Sequence, residues 1–356
     1  MNPYWIGITA VLLFSAYAET EVGGVLKRDT RWNRDDGPYI LTEDLVVSRN
    51  VRLTIASGCR IVVSSSPRND TAVPQLDNVD SRLTSIKVYG TLICVGSSDK
   101  RITFSPDTHS ITHPSWYGII LDDADDQFTE ITYTDISGAF NGIMVKKSAP
   151  LIHHVIIEHN HTGLLCTDQG SVRIYNSLIG FNTSAGIRTE KSNPSIINSI
   201  IVFNRNNGIW CDGMSKINCS YNCIFGNADG DLLDCDPEIG LLTKTNKNGD
   251  SIDVFNNVLQ DPVFSGSPAD SSERLKDPDV PTEKALVRDT VIAAIIHEED
   301  RKTAGTVPVK TRRLRYQLSR YSPCRDAGDP SSGFKDRDGS RNDMGIYGGP
   351  AVIGKK

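Results

Sequence analysis

The segments GIMVKKSAPLIHHVIIEHN (142–160), GLLCTDQGSVRIYNSLIGFN (163–182), GIRTEKSNPSIINSIIVFN (186–204) and GIWCDGMSKINCSYNCIFGN (208–227) follow one another and share one pattern. Each begins with glycine and an aliphatic residue and ends with asparagine, and the final asparagines are 22, 22 and 23 residues apart. Two markers with one period of about 20 to 30 residues, set on short β-branched runs without helical spacing, are typical of a solenoid. We therefore predict an all-β fold, a single-stranded right-handed parallel β-helix in which each segment forms one coil.

The repeat also predicts which side chains stack on one another. A strand of one coil pairs with its counterpart in the next coil, about 4.8 Å away, so equivalent side chains form ladders. Two aliphatic ladders are expected, Ile143, Leu164, Ile187, Ile209 and Ile157, Ile179, Ile201, Ile224. The terminal asparagines should form a third ladder at a corner, because a buried asparagine can bond to its own turn and to the next asparagine, and it tolerates a left-handed backbone.

The N-terminus is interpreted as a signal peptide covering residues 1–18. From Trp5 to Ala18 the chain is apolar and ends in an Ala-x-Ala cleavage pattern, and about 14 apolar residues are too few to span a bilayer of roughly 30 Å. Cleavage would leave Glu19 first and would place the protein outside the cell or in the cell envelope. No later segment is long and apolar enough for a membrane span, so none is expected.

The remaining chain divides into a polar lead (19–36), the β-helix (37–264), an insertion (265–313) and a closing region (314–356). In the insertion, residues 282–298 place aliphatic side chains at helical spacing and predict an amphipathic helix. Such a helix could cover the open end of the solenoid, where the last coil exposes unpaired backbone groups. The closing region is expected to supply final strands and a C-terminal cap.

Charge and cysteine content limit the kinds of partner and the cellular compartment that this protein can have. A formal net charge of −6 without a long basic stripe argues against nucleic-acid binding. Eight cysteines in an exported chain permit disulfides, and the expected place is the cluster Cys211, Cys219, Cys223, Cys235. A zinc site is the alternative, although the spacing lacks the paired C-x2-C elements of structural zinc sites.

The repeats and the tail carry a resemblance to a known superfamily. The coils and the closing motifs DPVF (261–264), YQLSRYSPCRDAGDP (316–330) and DRDGSRNDMGIYGGP (336–350) resemble right-handed parallel β-helix proteins. This superfamily includes pectate lyases, polygalacturonases and secreted bacterial proteins that end in a similar module. The resemblance implies the fold and export, whereas its members range from lyases and hydrolases to adhesins, so it does not imply one activity.

In polysaccharide-active members the substrate lies along the outer face of the first strand of each coil. Alternation from each glycine places ten side chains there: Ile120, Asp122, Met144, Lys146, Leu165, Thr167, Arg188, Glu190, Trp210 and Asp212. The candidate catalytic residues are Glu190, Asp212 and Arg188, and the candidate substrate-binding residues are Trp210, Lys146 and Asp122. An aromatic ring can stack on a pyranose, and an arginine can bind a uronate carboxylate.

Two mechanisms are available to these residues. Glu190 and Asp212 could serve as proton donor and base or nucleophile of a hydrolase. Alternatively, with calcium holding a uronate, Arg188 or a lysine could abstract the proton of a β-elimination. The paired-aspartate and G-H-G signatures of polygalacturonases and the R-x-P-x-x-R element of pectate lyases are absent. Ordinary solvated side chains on an exposed strand remain the alternative.

Two further groups, a histidine pair and an aspartate cluster, contain residue types that can ligate a metal ion. Adjacent residues alternate between the faces of a strand, so His153 and His154 are not expected to line one site. The aspartates Asp336, Asp338 and Asp343 are the better candidates for a structural calcium ion, and capping of turns by their carboxylates is the alternative.

Three functional hypotheses remain open. The first is a noncatalytic, monomeric protein that binds a polysaccharide or a cell-surface glycan. The second is a lyase or hydrolase acting on uronate-rich polysaccharide, and the third is a structural protein of the cell envelope.

Overall fold

The computed structural model describes residues 19–64, 83–107, 114–265 and 315–350. In these ranges the strands are β1 (Thr20–Leu26), β2 (Thr30–Trp32), β3 (Tyr39–Val47), β4 (Arg52–Ala56), β5 (Arg60–Val63), β6 (Ser85–Val88), β7 (Thr91–Val95), β8 (Ile102–Pro106), β9 (Gly118–Asp122), β10 (Glu130–Thr132), β11 (Thr134–Ile136), β12 (Asn141–Lys146), β13 (Leu151–His153), β14 (Ile156–Glu158), β15 (Thr162–Thr167), β16 (Arg173–Tyr175), β17 (Leu178–Gly180), β18 (Ile187–Glu190), β19 (Ser195–Ile197), β20 (Ile200–Val202), β21 (Asn207–Cys211), β22 (Asn218–Ser220), β23 (Cys223–Phe225), β24 (Gly230–Leu233), β25 (Lys244–Thr245) and β26 (Ser251–Ile252). Short 3-10 turns lie at Arg34–Asp36 and Ser332–Phe334.

Each coil contributes one strand to each of three parallel rows. The first row runs β6-β9-β12-β15-β18-β21-β24, the second β2-β4-β7-β10-β13-β16-β19-β22, and the third β5-β8-β11-β14-β17-β20-β23. The long strand β3 joins the first and third rows, because its first half pairs with β5 and its second half with β6. The protein is therefore the predicted all-β right-handed parallel β-helix.

The predicted aliphatic ladders are confirmed residue by residue. Ile143 pairs with Leu164, Leu164 with Ile187 and Ile187 with Ile209, all with no exposed surface. The third row repeats this arrangement with Ile157, Ile179, Ile201 and Ile224. Close stacking of like side chains removes apolar surface from water along the whole axis of the solenoid, which makes the ladders its core.

The asparagine ladder is also confirmed, with one correction to its backbone. The side-chain amide of Asn182 donates to Oδ1 of Asn204 at 2.9 Å, and that of Asn204 donates to Oδ1 of Asn227 at 2.8 Å. However, the left-handed residue at this corner is the one before the asparagine, as at Phe181 and Phe203, both with φ of 57°. The ladder asparagines serve here as hydrogen-bonding groups, and their neighbours make the turn.

A second corner has the left-handed asparagines that were expected at the first. His154, Asn176 and Asn198 have φ angles of 55°, 44° and 55°, and they lie between the second and third rows in successive coils. Asparagine suits this position because its short polar side chain tolerates the left-handed conformation.

Residues 315–350, called the strap below, run back along the outside of the third row. Asp329 donates its backbone N–H to Asn198 at 2.8 Å, Asn342 accepts from Asn176 at 3.0 Å, and the carbonyl oxygen of Gly348 lies 2.9 Å from Nε2 of His154. Taken in this order along the strap, each contact lies one coil closer to the N-terminus than the one before. In place of the expected closing strands, the strap forms turns and one isolated bridge, between Phe264 and Leu318.

Some predicted elements lie outside the described residues. These are the signal peptide (1–18) and the helix at 282–298, together with most of the insertion that contains it. Within the described ranges, no helix has the length and apolarity that crossing a membrane requires.

The eight cysteines, all within the described ranges, carry free thiols, so the expected disulfides are not present in this structure. The predicted four-cysteine cluster also does not converge, because the coil separates its members. Cys211 contacts Cys235, whereas Cys219 lies against the side chains of Asn222 and Asn257. Cys223 instead donates to the carbonyl oxygen of Gln260 at 3.2 Å, and the thiol of Cys324 in the strap lies near it.

Candidate functional site

The outward side of the first row is the candidate site, and it is called the front face below. The registers place Ile120 beside Met144, Met144 beside Leu165, Leu165 beside Arg188, and Arg188 beside Trp210. All five are partly exposed, whereas the residues that alternate with them, such as Ile119 and Leu121, are fully buried. The inside–outside alternation predicted from the glycines is therefore correct for these residues, whereas Thr167, also predicted on the outer face, is buried.

Three rings form a stack at the entrance to these strands. The rings of Tyr117 and Phe140 are 5.9 Å apart, and those of Phe140 and His161 are 4.7 Å apart and nearly parallel. The hydroxyl of Tyr117 lies 3.9 Å from the sulfur of Met144. Burial lowers the pKa of His161, and the nearby positive charge of Arg188 lowers it further, so the histidine is neutral near pH 7. The stack of rings is thus continuous with the outward side chains of the first-row strands.

Arg188 and Trp210 make the second part of the front face. The guanidinium carbon of Arg188 lies 4.4 Å from the centre of the Trp210 ring, and its Nη2 lies 2.6 Å from Oε1 of Glu190. The coil geometry therefore brings these three residues together. An arginine held by a ring and a carboxylate is oriented, with nitrogen donors left over for a ligand.

Asp212 caps a turn. Its carboxylate accepts backbone N–H groups from Lys191 at 2.7 Å, Met214 at 3.0 Å and Ser215 at 2.8 Å. Desolvation would raise the pKa of Asp212, but these hydrogen bonds outweigh it and lower the pKa. A carboxylate that is stabilised in its charged form is poorly suited to donate a proton to a leaving group.

Lys146 lies between two carboxylates at one side of the stack. Its Nζ is 3.8 Å from Asp122 and 3.7 Å from Asp168, and all three side chains are partly exposed. Along the front face from β9 to β21, counting the turn that follows each strand, four cations lie beside five carboxylates: Lys146, Lys147, Arg188, Lys191 and Asp122, Asp123, Asp168, Glu190, Asp212. This near balance of charge gives a polyanionic ligand no electrostatic advantage.

The expectation that His153 and His154 diverge is wrong. Their Nδ1 atoms are 2.8 Å apart, because the strand ends at His153 and the left-handed His154 turns its ring back toward its neighbour. Burial, together with the nearby His153, lowers the pKa of His154 to about 3. Glu130 lies 3.4 Å from Nε2 of His153, on the far side of that ring.

The three aspartates proposed for calcium bond mainly to strap backbone. Asp336 accepts from the N–H of Gly349 at 2.5 Å, and Oδ1 of Asp343 accepts from the N–H of Asp326 at 2.7 Å. Asp338 accepts from the backbone and side chain of Ser340. Burial and the adjacent carboxylates raise the pKa of Asp336 to about 6. Across the described part of the chain, no group of three or more ligating side chains could hold a metal ion.

A buried ion pair that the sequence did not single out lies beneath the strap. Glu158 is 5% exposed, and its carboxylate accepts hydrogen bonds from Arg315 and from the hydroxyl of Tyr316. Desolvation would raise the pKa of Glu158, but the charge of Arg315 and these hydrogen bonds lower it. The Tyr316 ring packs 5.9 Å from Phe181 and 5.4 Å from Phe264, so this group anchors the strap to the coil.

Sequence reasoning also missed the ring stack of the front face. A signal was present, because Phe140 and His161 each stand two residues before a repeat glycine, and Tyr117 stands one residue before Gly118. The outward positions had been counted forward from each glycine, so the residues just before it were not considered.

Comparison with family models agrees with the fold. Residues 84–257 match the family model described as the right handed beta helix region. Among solved structures, the crystal structure of the pectate lyase Pel9A is similar at 12% identity, over 85% of this chain and 88% of that one, with a TM-score of 0.33. No curated protein matched the sequence.

The rows, the ladders and the family match define the class of protein. The chain is a right-handed parallel β-helix, with a strap on one side and a partly exposed aromatic face on another.

Proposed function

We propose that this protein binds an extended, neutral polysaccharide along the front face and does not cleave it. The observation that carries the proposal is the continuity of the ring stack with the Arg188–Trp210 pair across five coils. Neighbouring strands are about 4.8 Å apart, so the rings present a series of apolar surfaces along the axis of the solenoid. A linear chain of pyranose rings offers apolar C–H faces that match such a series.

The polar groups beside the rings favour hydroxyl groups as ligands. Carboxylates accept hydrogen bonds from sugar hydroxyls, and Arg188 and Lys146 can donate to them. Because cations and carboxylates are nearly balanced there, a uronate-rich chain gains no electrostatic advantage, and the preferred ligand is neutral. This proposal replaces the expectation that Arg188 pairs with a uronate carboxylate.

The state of the catalytic candidates supports binding without cleavage. Asp212 is engaged by three backbone N–H groups, and its pKa is lowered. Arg188 is held by Glu190 and Trp210, and a guanidinium stays protonated in proteins, which makes it a weak base. Asp212 is thus not prepared as the proton donor of a hydrolase, and Arg188 is not prepared as the base of a lyase.

Affinity electrophoresis in gels that contain a neutral polysaccharide tests the proposal. A panel of neutral glucans, galactans and xylans is compared with polygalacturonate, which supplies the uronate-rich case. We expect retardation in at least one neutral gel, and about tenfold weaker retention for Trp210→Ala and Phe140→Ala, since a lost ring contact removes about 1.4 kcal/mol.

The strap provides a matched control. Arg320 lies 4.6 Å from the ring centre of Tyr321, which is the same kind of exposed arginine–aromatic pair. Tyr321→Ala should leave retention unchanged. Equal loss of retention in Tyr321→Ala, or no retention of the folded protein in any gel, would refute the proposal. Product release from polygalacturonate that Glu190→Gln abolishes would replace it with the enzymatic alternative.

A further inference from the structure

The thiols of Cys211 and Cys235 lie side by side at the C-terminal end of the solenoid. Their sulfur atoms are 2.8 Å apart. Cys211 is in β21 with 1% of its surface exposed, and Cys235 follows β24 and is partly exposed. A disulfide bond joins sulfurs at about 2.0 Å, so a shift of less than about 1 Å would bring this pair to bonding distance.

A bound metal ion does not explain this spacing. Two thiolates on a tetrahedral zinc ion, each about 2.3 Å from the metal, are held roughly 3.8 Å apart. The sulfur atoms of Cys211 and Cys235 are closer together than that. The described residues also provide no third ligand near them, since no group of three ligating side chains occurs in these ranges.

We propose that Cys211 and Cys235 are a redox-active dithiol that a small disulfide oxidant, such as oxidised glutathione, converts into a disulfide bond. One thiolate of the pair attacks a sulfur of the oxidant, whose S–S bond breaks, and one glutathione thiolate leaves. The second cysteine loses its proton to solvent and attacks the mixed disulfide, and the other glutathione thiolate leaves. Two protein thiols are oxidised, and one glutathione disulfide is reduced to two glutathione molecules.

The surroundings of the pair suit this reaction. The partial exposure of Cys235 gives the oxidant access. The hydrogen bond between the two thiols lowers the pKa of Cys211 and raises that of Cys235, so Cys211 supplies the thiolate, which is the reactive form of cysteine.

The disulfide would act on the same strand as the proposed binding site. Cys211 stands between Trp210 and Asp212, and Trp210 pairs with Leu233 of β24. The bond would therefore fasten the end of the last parallel strand to β21. It would close a loop of 24 residues, counted as the difference between positions 211 and 235, and so restrict opening of this edge.

Cys223 and Cys324 form an internal control. Burial and the nearby thiol of Cys324 raise the pKa of Cys223, and both side chains are fully buried, one in β23 and the other in the strap. An oxidant in solution reaches them only when the strap opens. In folded protein we therefore expect Cys211 and Cys235 to oxidise first, with the buried pair still reduced.

The experiment starts from reduced, folded protein equilibrated with oxidised glutathione, then alkylated under denaturing conditions and digested. The expected result is a cross-linked peptide pair that contains Cys211 and Cys235, with two fewer alkyl groups per chain than before oxidation. In Cys235→Ser, Cys211 should be recovered with an alkyl group or as a mixed disulfide with glutathione, and the cross-link should be absent.

Circular dichroism of reduced Cys235→Ser checks that the variant folds. Hydrogen exchange at residues 230–235 should slow on oxidation of the wild type and stay unchanged in the variant. Recovery of both cysteines with alkyl groups after equilibration would overturn the proposal. Cross-links that join Cys223 to Cys324 first would overturn it as well.

Discussion

The first and third rows are built from equivalent strands of the same coils, yet their outward sides differ. In the first row the outward residues alternate with the core and include Arg188, Glu190 and Trp210, all partly exposed. In the third row the outward residues Ile156 and Ile200 are each 2% exposed. The strap makes this difference, because it covers the third row and leaves the first row open.

The difference in exposure between the two rows is partly visible in their sequence patterns. The third-row segments VIIE, SLIG and SIIV are apolar at consecutive positions, which is typical of strands buried on both sides. The first-row segment GIRTE (186–190) alternates, as expected for a strand with one exposed side, whereas GIMVK (142–146) is apolar at three consecutive positions. The repeat thus contains only part of the information about which side is covered.

The largest effect is expected at the ion pair beneath the strap. Glu158→Ala should reduce the free energy of unfolding by about 3 kcal/mol, since it leaves Arg315 and Tyr316 without their acceptor. The value is at the low end for a buried pair, because 42% of the Arg315 side chain is exposed and can rehydrate. Urea unfolding of both proteins measures it.

The matched control on the first row is Glu190→Ala. Its partner Arg188 is 42% exposed and Glu190 itself 38%, and such an exposed pair contributes less than about 1 kcal/mol. Similar destabilisation by the two variants would show that the strap does not set the two rows apart.

A smaller effect is expected from outward aliphatic residues. Ile200→Ala should destabilise by about 2 to 3 kcal/mol, because its side chain packs under the strap at Gly345 and its removal leaves a cavity. Ile120→Ala, at an outward position of the first row, should destabilise by less than about 1 kcal/mol. Thermal and urea unfolding compare the pair, and a larger loss at Ile120 would contradict the assignment of the covered side.

The smallest of these effects concerns pH. The pKa of His154 is about 3 in the folded protein and about 6.5 when unfolded, so the unfolded state binds more protons between these values. Its contribution to stability is complete above about pH 6.5 and decreases as the pH falls toward 3. At pH 5 the loss relative to pH 7.5 should be about 2 kcal/mol.

His154→Asn isolates this contribution, since asparagine occupies the equivalent corner in the next two coils with a similar backbone. The comparison is made at each pH because Asp336 acts in the opposite direction. Its raised pKa of about 6 gives stability below about pH 4 that is lost as the pH rises through 6. Equal pH dependence of unfolding in the variant and the wild type would exclude His154 as the source.

The sequence by itself determined the coil, its ladders and the outward residues of the first row. These follow from local rules, because glycine and asparagine mark the corners and side chains alternate along each strand. Arg188, Glu190 and Trp210 could be grouped in advance since coil stacking turns a difference of about 22 residues into one strand spacing.

Only the tertiary structure decided how distant segments meet. The placement of the strap joins Glu158 to Arg315, and the left-handed turn at His154 brings two histidines together that strand alternation would separate. The pairing of Cys211 with Cys235 depends on where the last strand ends. Each of these contacts depends on a turn or a chain path that has no period, so a repeat pattern could not reveal it.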